Sequence, residues 1–137
     1  MVFEKHLYSW SRIGTLKLRE IWTKQPVNRI CADNIKGIED RAGFPTIGKN
    51  AVPLIFTEFG FNEVGSSVED NRFLTCLQTY LVGKDLDWGL WAFQGSYYLK
   101  SDTVQVKESF GIMDETWHHL RDPNFTRKFQ LLQRKNL

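Results

Sequence analysis

Only two cysteines, four prolines and three histidines occur in 137 residues. The cysteines, Cys31 and Cys76, have no metal-ligand spacing, which argues against a metal-stapled framework. Both fall on predicted helices, where the expected role is that of small buried hydrophobes, and they leave the redox compartment open. The formal net charge is only +2. That is too small to imply nucleic acid or an anionic membrane as a partner. The basic stretch from Arg127 to Lys135 reads instead as the solvated, dipole-complementing end of a helix. No run reaches the roughly 18 apolar residues of a membrane span. Glu4, Lys5 and His6 break up any apolar core of a leader at the N-terminus, so no signal peptide is expected there. His118 and His119 are adjacent and point apart in any regular structure, so they read as surface or packing residues rather than a metal pair.

Aromatic residues, by contrast, are plentiful. They make up 14% of the chain, with five Trp and ten Phe, which suits a large core or a sugar-binding cleft. Hydrophobic and charged fractions of 42% and 25% are those of a globular protein. No low-complexity linker divides the sequence, and residues 1–137 are expected to form one unit.

Strand-like and helix-like segments alternate. Val2 to Tyr8 reads as a strand. Gly14 to Gln25 is mixed and polar and reads as a loop. Pro26 opens a helix whose Val27, Ile30, Cys31, Ile35 and Ile38 follow helical spacing, with Gly43 as its stop. Gly48-Lys49-Asn50 is a turn. Pro53 introduces the second strand, Leu54 to Gly60. A second helix begins near Ser66 or Ser67, where Ser67-x-x-Asp70 approximates a capping box. Phe73, Leu74, Leu77 and Leu81 form its buried face, and Gly83 ends it. Asp87 to Phe93 reads as the third strand. Gly95 to about Arg121 reads as irregular. Asp122 and Pro123 then cap a last helix carrying Phe125, Phe129 and Leu132 at helical spacing. This alternation predicts an α/β fold with a parallel sheet. The apolar second and third strands predict that both sheet faces are covered.

The chemistry gathers at one end of that sheet. Leu54-Ile55-Phe56-Thr57-Glu58-Phe59-Gly60 is an apolar run that ends in a carboxylate, where an α/β barrel presents catalytic groups. Residues two apart on a strand share a face. His6 and Tyr8 therefore share a face, as do Phe56 and Glu58, and Gly89, Trp91 and Phe93. Three consecutive strands thus offer an imidazole with a phenol, a carboxylate and an indole. Taken singly, each has a bland reading: a salt-bridged Glu, a core Trp, a chance His-x-Tyr. Their order at matching strand ends carries the weight.

These segments resemble the C-terminal part of glycoside hydrolase family 5, the cellulase family of (β/α)8 barrels, and in particular its plant cellulase-like members. The resemblance rests on His6-Leu7-Tyr8, Thr57-Glu58-Phe59-Gly60, the run Asp87 to Tyr98, and Arg121-Asp122-Pro123-Asn124-Phe125, and it covers essentially the whole chain. It implies strands six to eight of the barrel with their helices, a partial catalytic domain over 1–137. Glu58 would be the nucleophile of a retaining enzyme, forming a glycosyl-enzyme intermediate. Tyr8 would hydrogen-bond and orient that carboxylate. His6 would line the sugar subsite and Trp91 would stack on the ring there. The loop with Gln94, Tyr97 and Tyr98 would either wall the cleft or, for the tyrosines, pack the loop on the barrel rim. A β-glycan of cellulose or mannan type is the implied substrate, with no metal or organic cofactor. Secretion or the cell wall is the implied setting.

Three elements of the family pattern have no match. Its general acid follows an Asn on strand four, in an Asn-Glu-Pro-like motif absent from this sequence, and the earlier-strand Arg and His are absent too. Retention needs two carboxyl groups roughly 5–5.5 Å apart. Glu4 lies too deep, and Glu63, Asp102 and Glu108 sit on loops that sequence cannot place. The expectation is a piece of a longer enzyme, from truncation, an incomplete gene model or an expression fragment, with self-association through exposed sheet edges. Two alternatives stay open: a glycan-binding protein that does not cleave, and a barrel enzyme of different chemistry.

Overall fold

The computed structural model describes residues 1–9, 15–62 and 67–133, with the side chains of 15–19 left aside. Glu63, Ser66 and the end of the basic tail lie outside the described residues. The chain runs β1 (Phe3–Tyr8), α1 (Thr15–Lys24), α2 (Val27–Ile38), β2 (Leu54–Gly60), α3 (Val68–Lys84), β3 (Asp87–Leu90), β4 (Ser96–Lys100), β5 (Thr103–Lys107) and α4 (Phe125–Lys128). Strands β1, β2 and β3 form a parallel sheet in that order. The expected α/β class with a parallel sheet is therefore observed.

Helices cover one face of the sheet. Phe56 and Phe59 of β2 are fully buried, together with Ile38, Leu77 and Leu81. Phe3, Leu7, Trp88 and Leu90 pack against the same core. Phe129 closes it, its ring 6.2 Å from Phe59, 6.3 Å from Phe61, 6.1 Å from Trp88 and 4.6 Å from Phe125. The opposite face is polar, with exposed Glu4 and His6 and partly buried Thr57 and Glu58. Coverage of both faces, expected from the apolar runs, is not what is seen.

Several boundaries differ from the sequence reading, each for a local reason. The segment read as a loop holds α1, built from good helix formers such as Leu, Lys, Arg and Glu. A Glu20–Lys24 pair at 2.6 Å supports it. Arg72 of α3 donates to the terminal carbonyls of Trp22, Thr23 and Gln25, placing a cation on the negative helix end. Helix α2 widens into a π turn at Glu39–Gly43 and then tightens into a 3-10 turn at Phe44–Thr46. Ser67 caps α3 as expected, accepting from the Asp70 backbone N–H at 3.0 Å. Gly83 does not end that helix; Asp85 does, in the left-handed conformation at φ 53°. Strand β3 stops at Leu90, short of Phe93. The stretch read as irregular contains the β4–β5 hairpin, which turns on Ser101 and Asp102, both at positive φ, as a two-residue turn requires. The last helix is a single turn followed by a 3-10 turn at Gln130–Leu132.

The cysteines also depart from expectation. Cys31 on α2 and Cys76 on α3 form a disulfide with Cα atoms 4.9 Å apart. Nothing in the spacing of two residues 45 apart announces that the helices bring them together.

Candidate active site

Strand β2 carries a β-bulge. His6 pairs with Glu58 although Glu4 pairs with Ile55, so β2 spends one residue more than β1 over that span. The same slip appears against β3, where Phe56 pairs with Trp88 and Phe59 with Leu90. Phe56 and Phe59 are consequently both in the helical core, and simple alternation of Phe56 with Glu58 fails. The bulge frees Glu58 from the core face; bulges commonly re-aim side chains beside functional sites.

Tyr8 on β1 donates its hydroxyl proton to Glu58 Oε2. His6 Nδ1 lies 3.4 Å from the same oxygen. Burial first, then the hydrogen bond to Glu58 and the charges of Glu58 and Glu108, push the Tyr8 phenol well above its ordinary value. The phenol therefore stays protonated and acts as a donor. Three of the residues singled out from sequence meet at the ends of β1 and β2.

Gly60 makes that meeting sterically feasible. A Cβ there would stand 2.9 Å from Trp91 O and 2.9 Å from Tyr8 Cε1. The backbone after β3 and the Tyr8 ring thus converge on one residue without a side chain. Trp91 follows β3, its N–H donating to Phe59 O at 2.8 Å, and its peptide bond to Ala92 is cis. Gly89 has the same logic, since its Cβ would fall 2.7 Å from Thr57 O.

The loop residues are placed differently from one another. Gln94 donates its side-chain amide to Ser96 O at 3.3 Å, so its polar group is engaged within the loop. Tyr97 turns inward and donates to Glu108 Oε2, while Tyr98 is 87% exposed. Burial first and then the Glu108 hydrogen bond push the Tyr97 phenol up to about 12.

Glu108 is a residue that sequence reasoning weighed only as a substitute acid. It is 4% exposed. Its Oε1 accepts from the Phe110 backbone N–H at 3.0 Å. Burial alone would push this carboxyl up. The Tyr97 hydroxyl, the Phe110 amide, the Lys100 charge and the Trp91 indole outweigh burial and hold it below the ordinary range. The Phe110 ring packs edge-on against Tyr8 at 5.6 Å. Arg121 latches the loop from behind, donating to the carbonyls of Glu108, Gly111 and Gly95. The signal for Glu108 was available in the alternating strand formers of Tyr97–Leu99 and Val104–Val106 around Ser101-Asp102. A hairpin there puts Glu108 opposite Gly95, whose carbonyl accepts its N–H at 3.0 Å.

Among the described residues no group of three or more His, Cys, Asp or Glu could hold a metal ion. His118 and His119 are exposed, with rings 6.3 Å apart. A cavity of about 450 Å³ opens beyond His6 and Tyr8, between β1 and helices α1 and α2, lined in part by Trp22, Asn34 and Phe73.

The geometry thus sets a strand-end carboxylate, held by a phenol, beside an imidazole on a parallel α/β scaffold. No protein-family model matches the chain. The chain is similar to a glycosyl hydrolase 5 family protein of Chamaecyparis obtusa, with 33% identity over 138 residues. That match covers 97% of this chain and 23% of the relative's length. The similarity supports a family 5-like, glycoside hydrolase-like segment.

Proposed function

We propose that this chain is the nucleophile-bearing, C-terminal part of a retaining β-glycan hydrolase built on a (β/α)8 barrel. The observation that carries the reading is the Tyr8–Glu58 hydrogen bond across the ends of adjacent parallel strands. Glu58 attacks the anomeric carbon of a cellulose- or mannan-like chain and forms a glycosyl-enzyme ester as the leaving oxygen departs. Tyr8 holds the attacking carboxylate in line. His6 lines the subsite beside it and Trp91 offers its ring to the sugar, with Tyr97 and the Gln94 loop behind. The Cys31–Cys76 disulfide suits an oxidising setting such as the secretory route. The outer edges of β1 and β3 are where a further strand or a second copy pairs.

One observation favours a second reading, glycan binding without cleavage. Glu108, the buried carboxylate of the loop, is held ionised and makes a poor proton donor to a leaving group. The two readings separate on a dinitrophenyl β-cellobioside, whose leaving group needs no acid. The hydrolase reading expects a burst of dinitrophenolate, at most one equivalent per chain, that Glu58→Gln abolishes. Binding of cello-oligosaccharide with no burst supports the second reading.

A further inference from the structure

The Glu108 carboxylate touches both halves of the site, and its two oxygens have separate work. Through Oε2 it accepts from Tyr97. Through Oε1 it accepts from the backbone of Phe110 at 3.0 Å. Phe110 is tied back to the loop after β3, with its carbonyl accepting from Ala92 N–H at 3.2 Å. Its ring stands edge-on to Tyr8, with the planes at 77°, and Tyr8 in turn holds Glu58. A chain of direct contacts therefore runs from Glu108 through Phe110 and Tyr8 to Glu58, and a second contact joins Glu108 to Tyr97.

A buried carboxylate is an expensive way to hold a loop, because burial disfavours the charged form unless donors replace water. Loop anchoring is already served by Arg121, which binds three carbonyls and leaves the Glu108 carboxylate to other donors. The donors that meet the carboxylate are the Tyr97 hydroxyl and the amide of Phe110, the residue packed on Tyr8. We propose that Glu108 is a positioning residue, setting Tyr97 with one oxygen and, through Phe110, the Tyr8 ring that orients Glu58 with the other.

The inference rests on the Glu58 site proposed above, and its test carries a readout that does not need hydrolysis. Side-chain resonances of Tyr8, Tyr97 and the Trp91 indole are followed in the intact chain and in Glu108→Gln across pH 3–7. The wild type is expected to show one common low-pH step on the Phe110 amide and the Tyr97 ring, the two groups bonded directly to Glu108. Glu108→Gln is expected to abolish that step and shift Tyr8, with the Trp22 and Trp88 indoles unmoved. In parallel, the dinitrophenolate burst is expected to slow about tenfold or more, since misplacing a reacting group by around an ångström costs on the order of 100-fold. Tyr8 resonances and burst rate unchanged in Glu108→Gln overturn the proposal. A wild type without a burst rejects the hydrolase reading, and the resonances still judge the positioning role. Should Glu108→Gln not fold, Tyr97→Phe removes one donor and keeps the charge. It is expected to move the Phe110 amide, and its constancy overturns the proposal equally.

Discussion

Replacing Gly60 by alanine should damage the site through two atoms. The added Cβ would lie 2.9 Å from Trp91 O and 2.9 Å from Tyr8 Cε1, about half an ångström inside ordinary contact. Trp91 O is backbone, and the Trp91 N–H is anchored to Phe59 O at 2.8 Å, so that side cannot retreat. The Tyr8 ring must turn instead, against the edge of Phe110. Overpacking of this kind costs about 1–3 kcal/mol. Turning the ring also weakens its hydrogen bond to Glu58, a charge-assisted contact worth about 1.5–3 kcal/mol. Gly60 does not occupy the left-handed region, so conformational strain adds nothing. Gly83 is the control: a Cβ there meets nothing within 4 Å, and alanine inside α3 should stabilise by about 0.5–1 kcal/mol. Urea unfolding of both variants measures the stability arm, and the dinitrophenolate burst measures the site arm. Gly60→Ala as stable and as fast as the wild type would refute the packing argument, because the contacts that fix Tyr8 would then be slack.

Three further predictions use the same measurements. The Cys31→Ser, Cys76→Ser double variant should lose about 4 kcal/mol in urea unfolding, from release of a loop of 45 residues in the unfolded chain, and reductant should reproduce the loss in the wild type. Phe129→Ala should cost about 3–5 kcal/mol, since its ring packs against Phe59, Phe61, Trp88 and Phe125. Acid should erode the contribution of Glu108. Its folded-state value lies below the ordinary range, so that stability is present above the unfolded pKa of about 4.3 and is lost as pH falls through the folded value. The difference in urea midpoint between the wild type and Glu108→Gln should therefore narrow below about pH 4.

How much of this was legible depended on whether the pattern was local. The three parallel strands announced themselves through apolar runs, and Ser67 through its spacing to Asp70. Helix α1 was hidden by its polar composition; its stability comes from good helix formers and from Arg72, a residue some fifty positions away. The bulge in β2 could not be read, because it is a mismatch between strands and not a property of either one. The meeting of His6, Tyr8 and Glu58 was legible because parallel strands bring their carboxyl ends to one side. Glu108 and Phe110 were missed: strand formers flank Ser101 and Asp102, but those two residues mark the hairpin turn only weakly, so the pairing that places Glu108 went unread.

The most direct measurement is mass spectrometry of the intact chain after incubation with a 2-fluoro β-cellobioside bearing an activated leaving group, followed by peptide mapping. A nucleophile at Glu58 predicts one sugar per chain, located on the peptide that spans Leu54 to Gly60 and absent from Glu58→Gln. A label on another carboxylate, or no label in a chain that still binds the glycan, would contradict that role for Glu58.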